Sequence, residues 1–158
     1  MLRTTPLCPS RVLSELVGVP VSLKCENLQR TGSFKPRGAI NMLGSIERPD
    51  GVVAASAGNH AQAVALAASA LGVPATVVVP AETPLAKQRA TEGDGADLVR
   101  VDGPLSLAIE HAQPLAVERS LVFVSPFDHP AIVAGQGTVG LEIIEQSPDV
   151  GTVRVAVG

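Results

Sequence analysis

Short β-branched runs alternate along this chain with longer alanine-rich stretches, and that rhythm admits few folds. Residues 51–55 (GVVAA), 75–79 (ATVVV), 96–101 (ADLVRV) and 121–124 (LVFV) read as strands. Between them, residues 59–71 (NHAQAVALAASAL), 84–92 and 105–119 have the length and composition of helices. Gly72 ends the first, Thr83 is the expected N-cap of the second, and Pro114 weakens the third. Strands separated by crossover-length helices make parallel βαβ units, so the pattern predicts an α/β fold with a parallel sheet covered on both faces. Outside this block, residues 19–25 and 152–157 read as further strands, and residues 34–45 and 138–146 as helices. Pro36 is tolerable in a first helical turn.

Composition narrows the class. The chain is 46% hydrophobic but 2% aromatic, with no Trp or Tyr and three Phe, so its core is aliphatic. Its 158 residues suffice to bury roughly 70% of the unfolded surface. A net charge of −3 leaves no electrostatic footprint for nucleic acid. Two cysteines, Cys8 and Cys25, are too few for a disulfide scaffold or a cysteine-based zinc site. No apolar run approaches the roughly 20 residues of a membrane span, and the first residues lack the apolar core of a signal peptide. A cytoplasmic setting without membrane or nucleic-acid partners is expected.

Three local constellations could carry chemistry. Lys35 stands between Phe34 and a helix start, where the helix dipole disfavours its charged form and suits it to Schiff-base chemistry; by position alone the ordinary reading is a solvated surface lysine. Ser56, Ala57, Gly58, Asn59 and His60 follow a strand and open a helix, which makes an anion site from free backbone N–H groups or an ordinary loop capped by Asn59. Gly135-Gln136-Gly137-Thr138-Val139-Gly140 matches the G-x-G-x-x-G pattern of nucleotide-binding Rossmann modules, but without the strand and later acidic residue that pattern needs. No metal site is expected, since His60 has no ligand partner at suitable spacing.

Together these segments resemble a known family. The run from Lys24 to Ala39 (KCENLQRTGSFKPRGA), then SAGNHAQ at 56–62, then PFDHP at 126–130 with AGQGT at 134–138, is similar to the motif series of threonine/serine dehydratases, which are fold-type-II pyridoxal-phosphate enzymes. The resemblance implies that Lys35 carries pyridoxal 5'-phosphate as a Schiff base, that Phe34 packs beside its ring and that Asn59 bonds the ring hydroxyl. Ser56, Ala57, Gly58, Asn59 and His60 would hold the carboxylate of a small amino-acid substrate. Lys35 would then remove the α-proton, and loss of the β-hydroxyl would yield a 2-oxo acid and ammonia from L-threonine or L-serine. Related racemases have a serine where this chain has Ala57, which favours dehydration here.

The resemblance also implies a division into residues 1–50 (the start of a large cofactor domain), 51–146 (a small α/β domain) and 147–158 (a return strand into an incomplete large domain). Gly158 would be the first glycine of the phosphate loop. On this reading the chain is a fragment, or one half of a split protein that needs a partner chain, with weak cofactor binding and little turnover alone. The uncovered strand at 152–157 predicts a homo-oligomer or aggregation.

Overall fold

The computed structural model describes residues 2–47 and 49–156. The chain begins with β1 (Leu7–Pro9), α1 (Arg11–Val17), β2 (Ser22–Lys24) and a 3₁₀ turn (Glu26–Leu28). It continues through α2 (Lys35–Gly44), β3 (Val52–Ala55), α3 (Asn59–Leu71), β4 (Ala75–Pro80), α4 (Leu85–Gly93) and β5 (Asp97–Val101). It closes with α5 (Leu105–Glu118), β6 (Val122–Phe123) and α6 (Pro130–Gln146).

The parallel sheet follows from the β-branched runs and has the order β5-β4-β3-β6. β3 pairs with β4 from Val52 opposite Ala75 to Ala55 opposite Val78. Side-chain alternation sorts these strands into two cores. Val52, Ala54, Val77 and Val79 pack with Ala39, Met42 and Leu43 of α2, the alanines of α3, and Ile132 of α6. Val53, Ala55 and Val78 pack on the other face against Ala108, Ala112 and Leu115 of α5. Each fully buried valine contributes about 1.5–3 kcal/mol. Alanine dominates α3 because its neighbours lie close: Ala63, Val64, Ala65, Ala67 and Ala68 are completely buried. The expected parallel sheet flanked by helices is therefore the architecture found.

Several local expectations are corrected. Thr83 does not cap α4: Pro84 takes the N-cap position, and the Thr83 hydroxyl is buried without a partner among the described residues. α5 runs unbroken through Pro114, which lies on the exposed side, where water can reach the carbonyl deprived of its donor. α6 begins at Pro130 rather than 138, with His129 Nδ1 accepting from Ala131 N–H at 3.2 Å. The G-x-G-x-x-G run therefore lies inside a helix and forms no phosphate-binding loop, which removes the Rossmann reading. Residues 152–156 are exposed and form no strand, because no described strand lies beside them to complete a ladder. A separate antiparallel pair, β1 with β2, precedes the parallel sheet in the chain.

Candidate functional site

The candidate residues converge at the C-terminal edge of the parallel strands, where open α/β sheets place their ligands. Two segments leave the sheet there side by side, Ser56 to Gly58 after β3 and Val124 to Pro126 after β6. Lys35, the first residue of α2, reaches this edge and donates from Nζ to Pro126 O at 2.8 Å. Its ammonium lies 5.4 Å from the centroid of the Phe34 ring, within cation–π range. Partial burial lowers the Lys35 pKa below that of a free lysine. A larger share of neutral amine is what nucleophilic attack on a carbonyl requires.

His60 supports the same edge. It is 4% exposed, and its Nε2 lies 3.1 Å from Val124 O. A carbonyl only accepts, so Nε2 carries the proton. Burial pulls the His60 pKa down to about 4, and the Lys35 charge adds to that effect against the opposing hydrogen bond to Val124. The imidazole is therefore neutral near pH 7. It fixes the strand exit whose next carbonyl but one, Pro126 O, holds Lys35.

The loop from Ser56 has the form of an anion site. Ser56 Oγ accepts from Gly58 N–H at 3.1 Å. Gly58 occupies the N-cap of α3, where no side chain caps the helix and no acidic residue stands in the first turn. Asn59 is the first helical residue rather than the cap, and its side chain is exposed. Lys87 of α4, which no motif pointed to, places Nζ 3.7 Å from where a Cβ on Gly58 would stand. Lys35, Lys87 and the α3 N-terminus thus bring positive potential to one edge, with nothing in the local sequence to announce Lys87. Ala57 is half-buried and brings no hydroxyl. Gly158 lies outside the described residues.

Beneath Lys35, the first turn of α2 is tied down by a buried ion network. Arg37 Nε donates to Glu26 Oε2 at 2.8 Å, and its two terminal nitrogens donate to Glu142 Oε1 and Oε2 at 2.6 and 2.9 Å. Lys24 Nζ meets Glu142 Oε2 at 2.6 Å, and the Thr5 hydroxyl bonds Glu26. Burial disfavours the Glu142 charge, but the hydrogen bonds from Arg37 and Lys24 prevail and bring its pKa to about 2. Glu26 and Glu142 raise the Arg37 pKa in turn, against its own burial.

Known proteins share this fold and much of this sequence. Residues 1–158 match the family model described as "Pyridoxal-phosphate dependent enzyme". The chain is 48% identical over 160 residues to an L-threonine ammonia-lyase of Geobacter sulfurreducens, covering 99% of this chain and 40% of that protein. It is 50% identical over 161 residues to an L-threonine ammonia-lyase of Thermotoga maritima, again covering 40% of that protein. Among solved structures, threonine deaminase isoform 2 of Solanum lycopersicum superposes with a TM-score of 0.91 at 41% identity, covering 94% of this chain and 42% of that one. Maize serine racemase superposes with a TM-score of 0.90 at 34% identity, covering 94% of this chain and 46% of that one. The chain spans less than half the length of these relatives.

Proposed function

Since the chain belongs to the pyridoxal-phosphate-dependent enzymes, within the threonine/serine dehydratase family, we propose that it carries the lysine and the carboxylate loop of an enzyme converting L-threonine or L-serine to a 2-oxo acid and ammonia. The observation that carries this reading is Lys35: a partly desolvated primary amine held on Pro126 O at the strand edge, next to the uncapped start of α3.

The residues present fit the cofactor at its reactive end. Two residues before Lys35, the Ser33 hydroxyl is buried with no partner among the described residues, a polar group left for a ligand to satisfy. Phe34 is half-exposed beside the Lys35 ammonium and offers a face for a ring; Asn59 offers an amide for a ring oxygen. Gly158 would begin the phosphate end. When bound, pyridoxal phosphate supplies an electron sink for the bonds at the α-carbon of a joined amino acid.

The chain's own residues account for the rest. The N–H groups at the start of α3, with Ser56 and the nearby Lys87, would orient the substrate carboxylate. Lys35 would take the α-proton on one face and return it to the departing hydroxyl as water. Ala57 offers no hydroxyl to act as a second base, which supports dehydration over racemisation. His60, neutral and spent on Val124 O, orients rather than transfers protons.

The test is borohydride trapping. The chain is mixed with pyridoxal phosphate, reduced and mapped by peptide mass. The expected result is a phosphopyridoxyl group on Lys35, absent in Lys35→Ala. Equal labelling of Lys24 and Lys87 would overturn the reading. A second reading, a half that must pair with a partner chain before turnover, is favoured by the exposure of Val12, Leu16 and Val17 on α1 and of Leu141 and Ile144 on α6. Lys35 labelling with no ammonia released from L-threonine would select it.

A further inference from the structure

Helix α2 begins at Lys35 without a cap of its own. Its N-cap position is Phe34, which makes no capping side-chain hydrogen bond. A helix start leaves its first N–H groups without intrahelical partners. In α2, Pro36 has no N–H to satisfy, and Arg37 N–H bonds back to Phe34 O at 3.0 Å. Gly38 N–H is satisfied from another element: Gln136 of α6 accepts it on Oε1 at 3.1 Å. The Nε2 of the same carboxamide donates to Lys35 O at 3.5 Å. One side chain therefore grips both sides of the turn that bears the lysine.

The backbones are shaped for this reach. A Cβ on Gly135 would stand 2.5 Å from Arg37 O and 2.7 Å from Gly38 Cα. A Cβ on Gly38 would stand 2.7 Å from Gln136 Cδ and 3.0 Å from Ile132 O. At Gly135 the short contacts are with backbone atoms that cannot yield, so that position needs glycine; at Gly38 a Cβ would instead push aside the Gln136 carboxamide and crowd Ile132 O. The glycine-rich run of α6 thus lets two helix backbones touch and brings an amide to the α2 terminus.

We propose that Gln136 is a positioning residue for Lys35, its carboxamide capping α2 from the neighbouring helix and fixing the point from which the lysine side chain reaches Pro126 O. The inference rests on Lys35 being the reactive amine, as read above, but its test uses no cofactor, so borohydride trapping and this measurement fail independently.

The chain has three lysines, Lys24, Lys35 and Lys87. Labelling with [ε-¹³C]lysine gives three resonances, and Lys35→Ala assigns the one that matters. Gln136→Met keeps length and volume but removes both hydrogen bonds. In that variant Gly38 amide exchange is expected to accelerate about fivefold or more. The Lys35 resonance should move toward that of a free lysine and titrate at higher pH, while those of Lys24 and Lys87 stay in place. Loss of a merely structural bond would not single out one lysine of three. A folded Gln136→Met chain with unchanged Lys35 resonance and titration overturns the proposal. Should Gln136→Met not fold, Gln136→Glu decides: it retains the acceptor, so Gly38 must stay protected, and fast Gly38 exchange in that folded variant overturns the proposal instead.

Discussion

His60 couples the site to acid stability. Unfolded, it titrates near 6.5; folded, near 4, chiefly because burial penalises its charge. A base with a depressed folded pKa binds more protons when unfolded, so its contribution is fully present above about pH 6.5 and is lost as pH falls toward 4. The shift corresponds to roughly 3 kcal/mol across that window. Urea midpoints measured from pH 7 to pH 4 should therefore fall, and the fall should flatten in His60→Gln, whose amide can still donate to Val124 O. Equal slopes in the two proteins would refute the assignment. Glu142 acts in a lower window: its carboxyl is held near 2, so its contribution is present above about 4.5 and lost as pH falls below that.

At the scale of elements, α2 is the piece most dependent on others. It is docked on α3 and α6, and its Arg37 guanidinium, 2% exposed, bridges the 3₁₀ turn to α6 through Glu26 and Glu142. Removing one member of a buried pair leaves the other charged and unsolvated, which costs about 3–5 kcal/mol. Glu142→Ala should lose that much in urea unfolding, whereas a loss under about 1 kcal/mol would show the network to be incidental. The same dependence explains what sequence could reveal. The strands around Val53 and Val77, and α3 with its Gly72 stop, were legible because local pattern and burial agree. So were Lys35 and the Ser56–His60 loop, as motifs in a recognisable order. The first two turns of α6 were not, because Gly135 and Gly137 read locally as loop, and only packing against Arg37 O and Gly38 Cα gives Gly135 its reason. β1 and α1 were missed for a related cause. β1 has three residues, too few to show alternation, and α1 has seven residues with none buried.

Across the whole molecule, stability should be graded along the chain. β3 is buried at every position and lies between β4 and β6, with helices on both faces. Its amides can exchange only when the sheet comes apart. The β1–β2 pair is held by a short ladder, by Ser10 N–H on Val21 O at 2.8 Å, and by the Thr5–Lys24–Glu142 contacts. Val12, Leu16 and Leu23 in this region are exposed, so little apolar burial opposes its opening. Native-state hydrogen exchange should then show Val53 and Val77 amides opening with the global free energy, and Cys8 and Leu23 amides opening well below it. Glu142→Ala should lower the protection of the pair and of α2 together, because both are anchored on that carboxylate. Protection of Cys8 and Leu23 equal to that of Val53 would mean that the pair unfolds only with the sheet. In that case the ion network, rather than apolar packing, would hold the site lysine's helix and the chain's first strands in a single cooperative unit.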